Sequence, residues 1–222
     1  MERVLEPELM DDLEQARAYA EADFAEPNGH FVELFDERFP EWEARGPILD
    51  LGCGPGDISL RLAHRFPACE IHGVDGSAAM LQFAEQARRA HQAAARVSFI
   101  EGLLPGAELP YPRYQGVVSN SLLHHLHQPA GLWQTISGRA APGAPILVMD
   151  LMRASSPAHA QALVDNYAEG EPDVLRQDFY HSLLAAFEID EVRAQLDAAG
   201  LTDLQVEPVS DRHLAVWGRM RG

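Results

Sequence analysis

Residues 47–57 read Pro-Ile-Leu-Asp-Leu-Gly-Cys-Gly-Pro-Gly-Asp, and this stretch decides the fold. Its apolar beginning predicts a short buried strand, its glycines predict a tight turn, and residues 58–63 predict the first turns of an amphipathic helix. Glycines at alternate positions let a ligand approach the backbone where a Cβ would obstruct it. The free N–H groups at the start of the helix face the same place. The stretch therefore predicts a site for a nucleoside-containing ligand.

The glycine spacing separates this turn from two other nucleotide-binding turns. A dinucleotide-binding turn has two residues between its second and third glycines, whereas here Gly52, Gly54 and Gly56 alternate. No Gly-Lys-Ser/Thr sequence follows, which excludes a phosphate-binding P-loop. Asp50, two residues before the first glycine, adds a negative charge. A ligand with a cationic or amine-bearing part fits this turn better than a pyrophosphate does.

Short apolar strands alternate with helices along the rest of the chain. This alternation predicts an α/β fold with a seven-stranded, mostly parallel sheet, helices on both faces and an antiparallel last strand. Strands are predicted at 47–51, 70–75, 97–100, 116–120, 145–150, 204–207 and 214–217. The last two are expected to pair antiparallel, with 213–217 at the edge of the sheet.

The first 45 residues read as a helical cap. Helices are predicted at 8–25 and 30–39, with a break at Pro27. This segment is too small to fold alone, and we expect residues 1–45 to pack over one edge of the sheet.

The main domain is expected to cover residues 46–222. Helix signals continue through 122–140 after the fourth strand. A helical insertion at about 155–187 lies between the fifth and sixth strands, where it is predicted to cover the substrate pocket.

Charge and composition exclude several classes of protein. The 17 Lys and Arg residues against 34 Asp and Glu residues give a formal net charge of −17. Such a surface repels phosphate backbones, so a large nucleic-acid footprint is not expected. No apolar run reaches the ~18–20 residues of a membrane span, and no signal peptide is recognisable. Cys53 and Cys69 give no disulfide framework. We expect a cytoplasmic protein, as a monomer or homodimer, without a membrane partner.

Residues 48–56 resemble the signature of class I S-adenosylmethionine-dependent methyltransferases, and the resemblance extends over about residues 45–218. It implies the Rossmann-like fold of that family. It also implies S-adenosylmethionine as cofactor and S-adenosylhomocysteine as product. The expected reaction moves the sulfonium methyl group to an N, O or S nucleophile of a small molecule.

The resemblance also assigns cofactor-binding residues. Asp75, at the end of the second strand, matches the family's acid that binds both ribose hydroxyls, and Met80 matches a residue that lies against the adenine. Asn120 is expected to face the methionine part. Leu103 stands where many members have an aspartate that accepts the adenine amino group, so adenine would depend on the Leu103 backbone or on Glu101. The expected residues are Asp50, Gly52, Gly54, Gly56, Asp75, Gly76, Met80, Gly102, Leu103 and Asn120.

The methyl acceptor is expected near the carboxyl ends of the fourth and fifth strands. His124 and His125 have the titration range of a general base, although lining the pocket is the simpler role for them. No third ligand with a recognisable spacing accompanies these histidines, so no metal is expected. Tyr19, Asp150 and Tyr180 are candidate pocket residues.

Arg153 is a further candidate for a catalytic role, and it leaves two interpretations open. Its guanidinium could pair with a substrate carboxylate, or it could form a structural salt bridge. The first interpretation connects to an alternative function, because an enzyme that makes carboxy-S-adenosylmethionine needs a cation for the second carboxylate. A second alternative is a non-catalytic protein that binds S-adenosylmethionine.

Overall fold

One seven-stranded sheet organises the fold, and the computed structural model describes all residues from 1 to 222. The strands are β1 (Gly46–Leu51), β2 (Cys69–Asp75), β3 (Val97–Glu101), β4 (Gly116–Asn120), β5 (Pro145–Leu151), β6 (Gln205–Pro208) and β7 (His213–Arg219). The helices are α1 (Leu13–Glu21), α2 (Ala25–Arg38), α3 (Asp57–Arg65), α4 (Ala78–Ala90), α5 (Ala130–Arg139), α6 (Pro157–Tyr167), α7 (Asp173–Ala185) and α8 (Ile189–Ala198). None of the helices combines the length and apolar character that a membrane span requires.

The strand order is β3-β2-β1-β4-β5-β7-β6. Strands β1 to β5 are parallel, and β7 runs antiparallel to both of its neighbours. The predicted mostly parallel sheet with an antiparallel last strand is confirmed. The prediction that residues 213–217 form the edge was wrong, because β7 pairs with β5 on one side and β6 on the other. Its residues Leu214, Ala215 and Val216 are fully buried.

The chain extends the sheet first on one side of β1 and then on the other, and a crevice forms where the direction changes. The first crossovers build β2 and β3 on one side of β1, and the chain then returns to place β4 on the other side. In open parallel sheets a ligand crevice forms at such a switch point, outside the carboxyl ends of the strands. The ends of β1 and β4 are therefore the expected floor of a binding site.

The N-terminal segment contributes to the core through α2. Phe31 and Phe35 are 0% and 1% exposed, and they belong to the apolar layer between α2, α3 and the sheet. The Phe35 ring lies 5.4 Å from Trp42 and 5.8 Å from Phe66. Burying each phenylalanine contributes about 1.5–3 kcal/mol. Helix α1 instead packs on α4 and α7.

Two helix boundaries in the N-terminal segment differ from the prediction. Helix α2 begins at Ala25 and continues through Pro27, because a proline in the first turn lacks only an N–H that has no helical partner. The predicted break at Pro27 was wrong. Helix α1 begins only at Leu13, where the Asp12 carboxylate accepts hydrogen bonds from the N–H groups of Glu14 and Gln15. Residues 3–10 precede it as a non-helical arm, named the N-terminal arm below.

Helix α5 also begins later than predicted, at Ala130 instead of residue 122. The N–H groups of Leu123 and His124 donate to the Asp150 carboxylate on β5 rather than to helical carbonyls. Residues 122–129 therefore form a loop that is tied to the end of the neighbouring strand.

Gly56 caps α3 and allows this helix to approach the sheet. Its φ is +85°, and a Cβ there would lie 2.4 Å from Phe99 Cζ. Gly143 has a similar φ of +78°, but a Cβ at that position would meet no atom within 4 Å. Substituting Gly143 therefore measures the free-energy cost of the left-handed backbone without any steric overlap. We expect Gly143→Ala to cost about 1–2 kcal/mol from the left-handed backbone alone. Gly56→Ala is expected to cost a further ~1–3 kcal/mol from overpacking. Urea unfolding of both variants measures the difference, and equal losses would contradict the assigned role of Gly56.

Candidate active site

A cavity of about 1120 Å³ opens at the carboxyl ends of β1, β2, β4 and β5. Single-ligand pockets in proteins usually measure about 300–1,000 Å³. Residues 8–10 of the N-terminal arm, α1 and α7 form its outer walls. The cavity is large enough to hold a cofactor and a second small molecule side by side.

The three glycines of the β1–α3 turn serve different purposes. All have positive φ values, of +71° at Gly52, +50° at Gly54 and +85° at Gly56. A Cβ at position 52 would overlap Leu122, and one at position 56 would overlap Phe99. A Cβ at Gly54 would meet no protein atom within 4 Å. Gly52 and Gly54 line the cavity, whereas Gly56 does not, so Gly56 has a packing role instead of the expected ligand contact.

Asp75 connects the glycine turn to the start of α4. Its carboxylate accepts hydrogen bonds from the N–H groups of Gly54 and Ser77, each at 2.8 Å. Burial raises the pKa of Asp75, while these two hydrogen bonds oppose the shift. Because Asp75 also lines the cavity, it is an oriented acceptor for a ligand hydroxyl.

Asp50 places a second carboxyl group beneath the turn. It is 2% exposed and accepts a hydrogen bond from Ser59 Oγ at 2.6 Å. Burial raises the pKa of Asp50 to about 7, against the effect of the Ser59 hydrogen bond. A cation in the cavity would favour the ionised form of this side chain.

An apolar wall borders the cavity beside β2 and β3. A Cβ at Gly76 would lie 2.7 Å from the Leu103 side chain and 2.8 Å from that of Leu9. Leu103 is 62% exposed, an unusual state for a leucine, and Met80 is buried at the cavity surface. Gly102 also lines the cavity, but Glu101 does not, which removes Glu101 as a direct ligand contact in this structure.

Asn120 supplies an unused hydrogen-bond acceptor at the end of β4. It lines the cavity, and its buried Oδ1 has no hydrogen-bond partner in the protein. Leaving such a group unpaired is costly, so a donor from a ligand would satisfy it. Ser121, the next residue, has a φ of +55°, which marks local backbone strain at the same point.

His124 is held by Asp150. The two side chains meet through His124 Nδ1 and Asp150 Oδ1 at 2.5 Å, and both are almost fully buried. Burial alone would lower the pKa of His124, but the charge of Asp150, their hydrogen bond and the charge of Glu6 raise it overall. His124 lines the cavity and Asp150 does not. Asp150 is therefore a positioning residue behind the wall, and its expected place in the pocket was wrong.

The N-terminal arm brings Glu6 to the two histidines. Glu6 Oε1 lies 3.6 Å from His124 Nε2 and 3.2 Å from His125 Nδ1. Arg3 anchors the arm by donating to the carbonyls of His124 and Leu126. Burial and the neighbouring His124 lower the pKa of His125 to about 3. Sequence reasoning missed Glu6, because no local pattern links the arm to a loop more than a hundred residues away.

Arg153 and Tyr180 do not reach the cavity. The Arg153 side chain is 4% exposed and pairs with Glu191 and Glu188 at the start of α8. It thus forms the structural salt bridge that the sequence left open, and its expected catalytic role is not supported. Tyr180 packs on the apolar cluster under α6 and α7. Tyr19 does line the cavity, with its ring 4.8 Å from that of Phe24.

The cavity is strongly acidic. Its carboxylate-bearing residues are Glu8, Asp23, Glu26, Asp50, Asp57, Asp75, Glu171 and Asp178. All 17 basic residues of the chain are arginines, and Arg212 alone among them lines the cavity. That guanidinium is already engaged, with Nη1 3.1 Å from Asp211 and Cζ 3.3 Å from the centre of the Tyr167 ring. The wall therefore offers no unpaired permanent cation to a ligand.

Comparison with known proteins identifies similar chains. A family model described as "Methyltransferase domain" matches residues 48–143. A trans-aconitate 2-methyltransferase from Methylobacterium radiotolerans is 31% identical over 183 residues, covering 72% of this chain and 67% of that protein. An uncharacterized methyltransferase from Mycobacterium tuberculosis is 32% identical over 128 residues, or 58% of this chain. The chain spans 61% of the length of that relative.

The fold is shared with solved structures. The crystal structure of a SAM-dependent methyltransferase from Aquifex aeolicus matches with a TM-score of 0.66 at 15% identity. The match covers 94% of this chain and 98% of that one. At this identity the likeness concerns the architecture of the sheet and its helices.

We expect Asp50→Asn to raise the free energy of unfolding, with a gain that grows from pH 5 to pH 8. The folded-state pKa of Asp50 is about 7 against an ordinary value of 3.8. A raised carboxyl pKa costs stability increasingly as pH rises through this window, up to about 4 kcal/mol. Urea unfolding at both pH values measures the effect. Asp197→Asn, on the exposed side of α8, is the control and should show no such trend. A gain for Asp50→Asn that is the same at both pH values would contradict the assignment.

Proposed function

The chain belongs to the class I S-adenosylmethionine-dependent methyltransferases, and from this we propose that it methylates a small molecule that carries no net negative charge. The observation that carries methyl transfer from S-adenosylmethionine is at the floor of the cavity. There the Gly54 backbone, with open space beside it, donates a hydrogen bond to the Asp75 carboxylate. The cavity has room for an acceptor beside the cofactor, and its acidic wall narrows the acceptor class.

The residues at the floor fit the cofactor. S-Adenosylmethionine, when bound, supplies an electrophilic methyl group on a positively charged sulfur. Asp75 would accept the ribose hydroxyls, and the open space at Gly54 would let the nucleoside lie against the backbone. Asp50 adds negative charge near the cationic methionine part, and the unpaired Asn120 Oδ1 offers an acceptor to its ammonium group.

Adenine recognition would be apolar in this protein. The exposed Leu103 side chain and the buried Met80 border the same part of the cavity, close to Leu9 of the N-terminal arm. Leu103 cannot accept a hydrogen bond with its side chain, so the adenine amino group would lack the carboxylate that many members provide. Covering Leu103 with the adenine ring would remove apolar surface from water, which favours binding.

The acceptor class follows from the charges of the cavity. An anionic acceptor such as trans-aconitate would need cationic side chains, and the one lining arginine, Arg212, is paired with Asp211. Glu171 and Asp178 project from the α7 side, where the acceptor would enter. We therefore expect a neutral or positively charged acceptor with an N, O or S nucleophile. The same lack of a free arginine disfavours the carboxy-S-adenosylmethionine alternative.

The histidines are better placed for holding structure than for accepting the acceptor's proton. His124 Nδ1 is occupied by Asp150, and the Nε2 of His124 and the Nδ1 of His125 both face Glu6. We propose that the chain accelerates the transfer chiefly by aligning the two reactants, which can lower the activation barrier by several kcal/mol. Turnover of S-adenosylmethionine with any acceptor would exclude the non-catalytic alternative.

Asp75→Asn is expected to weaken binding of S-adenosylhomocysteine at least tenfold. The substitution removes the charge that accepts the ribose hydroxyls, and hydrogen bonds to charged groups contribute about 1.5–3 kcal/mol each. Isothermal titration calorimetry on the full chain measures the affinity. Glu33→Gln, on the exposed face of α2, is the control and should bind as the unaltered protein does. If the folded, unaltered protein bound neither S-adenosylmethionine nor S-adenosylhomocysteine, the proposed function would be wrong.

Acceptor preference provides a second test. In an assay of S-adenosylhomocysteine release, we expect turnover with amine-bearing or neutral compounds and none with trans-aconitate or citrate. For a cationic acceptor, the double variant Glu171→Gln/Asp178→Asn should raise KM at least fivefold, because two charges of the wall are removed. Efficient methylation of a tricarboxylate would show that the charge argument is wrong.

A further inference from the structure

Three potential metal ligands converge at the inner wall of the cavity, which His124 and His125 line. The Glu6 carboxylate and the imidazoles of His124 and His125 each offer one atom, and these atoms lie within 4.8 Å of one another. The side chains are 10%, 3% and 14% exposed. They come from the N-terminal arm and from the loop after β4, so the folded chain assembles a site that neither segment forms alone.

Two of the three side chains have an outer partner that fixes their orientation. Asp150 Oδ1 lies 2.5 Å from Nδ1 of His124, and Ser182 Oγ donates to both oxygens of Glu6 at 3.2 and 3.3 Å. Metal-binding histidines typically donate their second N–H to a carboxylate or a carbonyl in this way.

The three atoms that face one another, Glu6 Oε1, His124 Nε2 and His125 Nδ1, have no hydrogen-bond donor that satisfies all of them. In the neutral form of His124, with its one proton directed at Asp150, Nε2 presents a lone pair 3.6 Å from Glu6 Oε1. His125 Nδ1 is buried, has no hydrogen-bond partner, and lies 3.2 Å from the same oxygen. A proton on His124 Nε2 would satisfy one of these contacts and leave His125 Nδ1 unpaired. A single cation among the three atoms would satisfy all of them.

We propose that Glu6, His124 and His125 bind one divalent transition-metal ion of the Zn²⁺ type. Two imidazoles and one carboxylate are a ligand set suited to such ions, and three protein ligands leave coordination positions open. Two ligands at about 2.1 Å from one ion lie ~3.0–3.4 Å apart. The two distances from Glu6 Oε1 to the histidine nitrogens, 3.6 and 3.2 Å, are close to this range. The expectation from sequence spacing that no metal binds missed Glu6, which no local motif announces.

The surrounding charges favour a cation. Glu6 and Asp150 contribute two negative charges when ionised, and Arg3 contributes one positive charge where it contacts the His124 and Leu126 carbonyls. With both histidines neutral, as metal ligands must be, one negative charge remains in this nearly buried site. A divalent ion would also join the N-terminal arm to the loop after β4, next to the place where an acceptor would lie.

The test is metal binding by the full chain after chelator treatment. Isothermal titration calorimetry with Zn²⁺, and native mass spectrometry, should show one ion per chain with a Kd in the micromolar range or below. Co²⁺ should give visible d–d absorption that reports nitrogen and oxygen ligands. Glu6→Gln and His125→Gln should each weaken binding at least tenfold. Glu2→Gln, an exposed residue beside the arm that does not line the cavity, is the control and should change it less than twofold.

Thermal unfolding and S-adenosylhomocysteine binding of each variant establish that the fold and the cofactor site are intact. Because S-adenosylhomocysteine binding depends on other residues, failure of the metal site and failure of the proposed function give different results. The proposal is overturned if the folded protein binds no ion. It is also overturned if Glu6→Gln and His125→Gln both leave the affinity unchanged, since the ion would then lie elsewhere.

Discussion

The β1–α3 turn lies in van der Waals contact with two neighbouring strands, and the rest of the site depends on that approach. Phe99 of β3 occupies the space beside Gly56, and Cys53 and Phe99 both crowd Gly73 of β2, where a Cβ would lie within 2.9 Å of each. Glycine at these positions lets the turn sit low on the sheet, within reach of Asp75. The bare backbone, the ribose-type acceptor and the start of α3 then share one place. A bulkier turn would separate them, and no other segment could restore the contact.

Local pattern made most of the sheet predictable, because each strand is a short apolar run and each turn has glycine or proline. The start of α5 was predicted too early because helix-forming residues are a local signal, whereas Asp150 competes for the Leu123 and His124 N–H groups from another strand. Glu6 and Arg3 were missed for the same reason, since their partners lie far along the chain. Arg153 could not be assigned from sequence, because a guanidinium beside a strand end suits a substrate or a neighbouring acid equally well.

The cavity region contains buried acidic residues with hydrogen-bond partners and open acidic residues without a basic partner, and the two kinds have different roles. Asp50 at the cavity floor and Asp150 behind the wall are both almost fully buried, and a hydroxyl or an imidazole accompanies each carboxylate. Glu171 and Asp178 face the open space without a basic partner. Buried acids with partners hold backbone and side chains in place, whereas open acids create a field that selects what enters. Eight of the 34 acidic residues line the cavity, so part of the formal charge of −17 affects ligand choice.

The internal position of β7 has a consequence for how the chain folds. Within the sheet, β6 pairs only with β7, and β7 is made after β6. During synthesis β6 has no strand to join until the last strand emerges from the ribosome. Until then β5 presents an open edge, although all seven of its residues are buried in the finished protein. Unpaired apolar edges favour aggregation, so a chain truncated before residue 213 would be aggregation-prone rather than a smaller stable domain. Closure of the sheet is a late, long-range event that makes the fold cooperative from end to end.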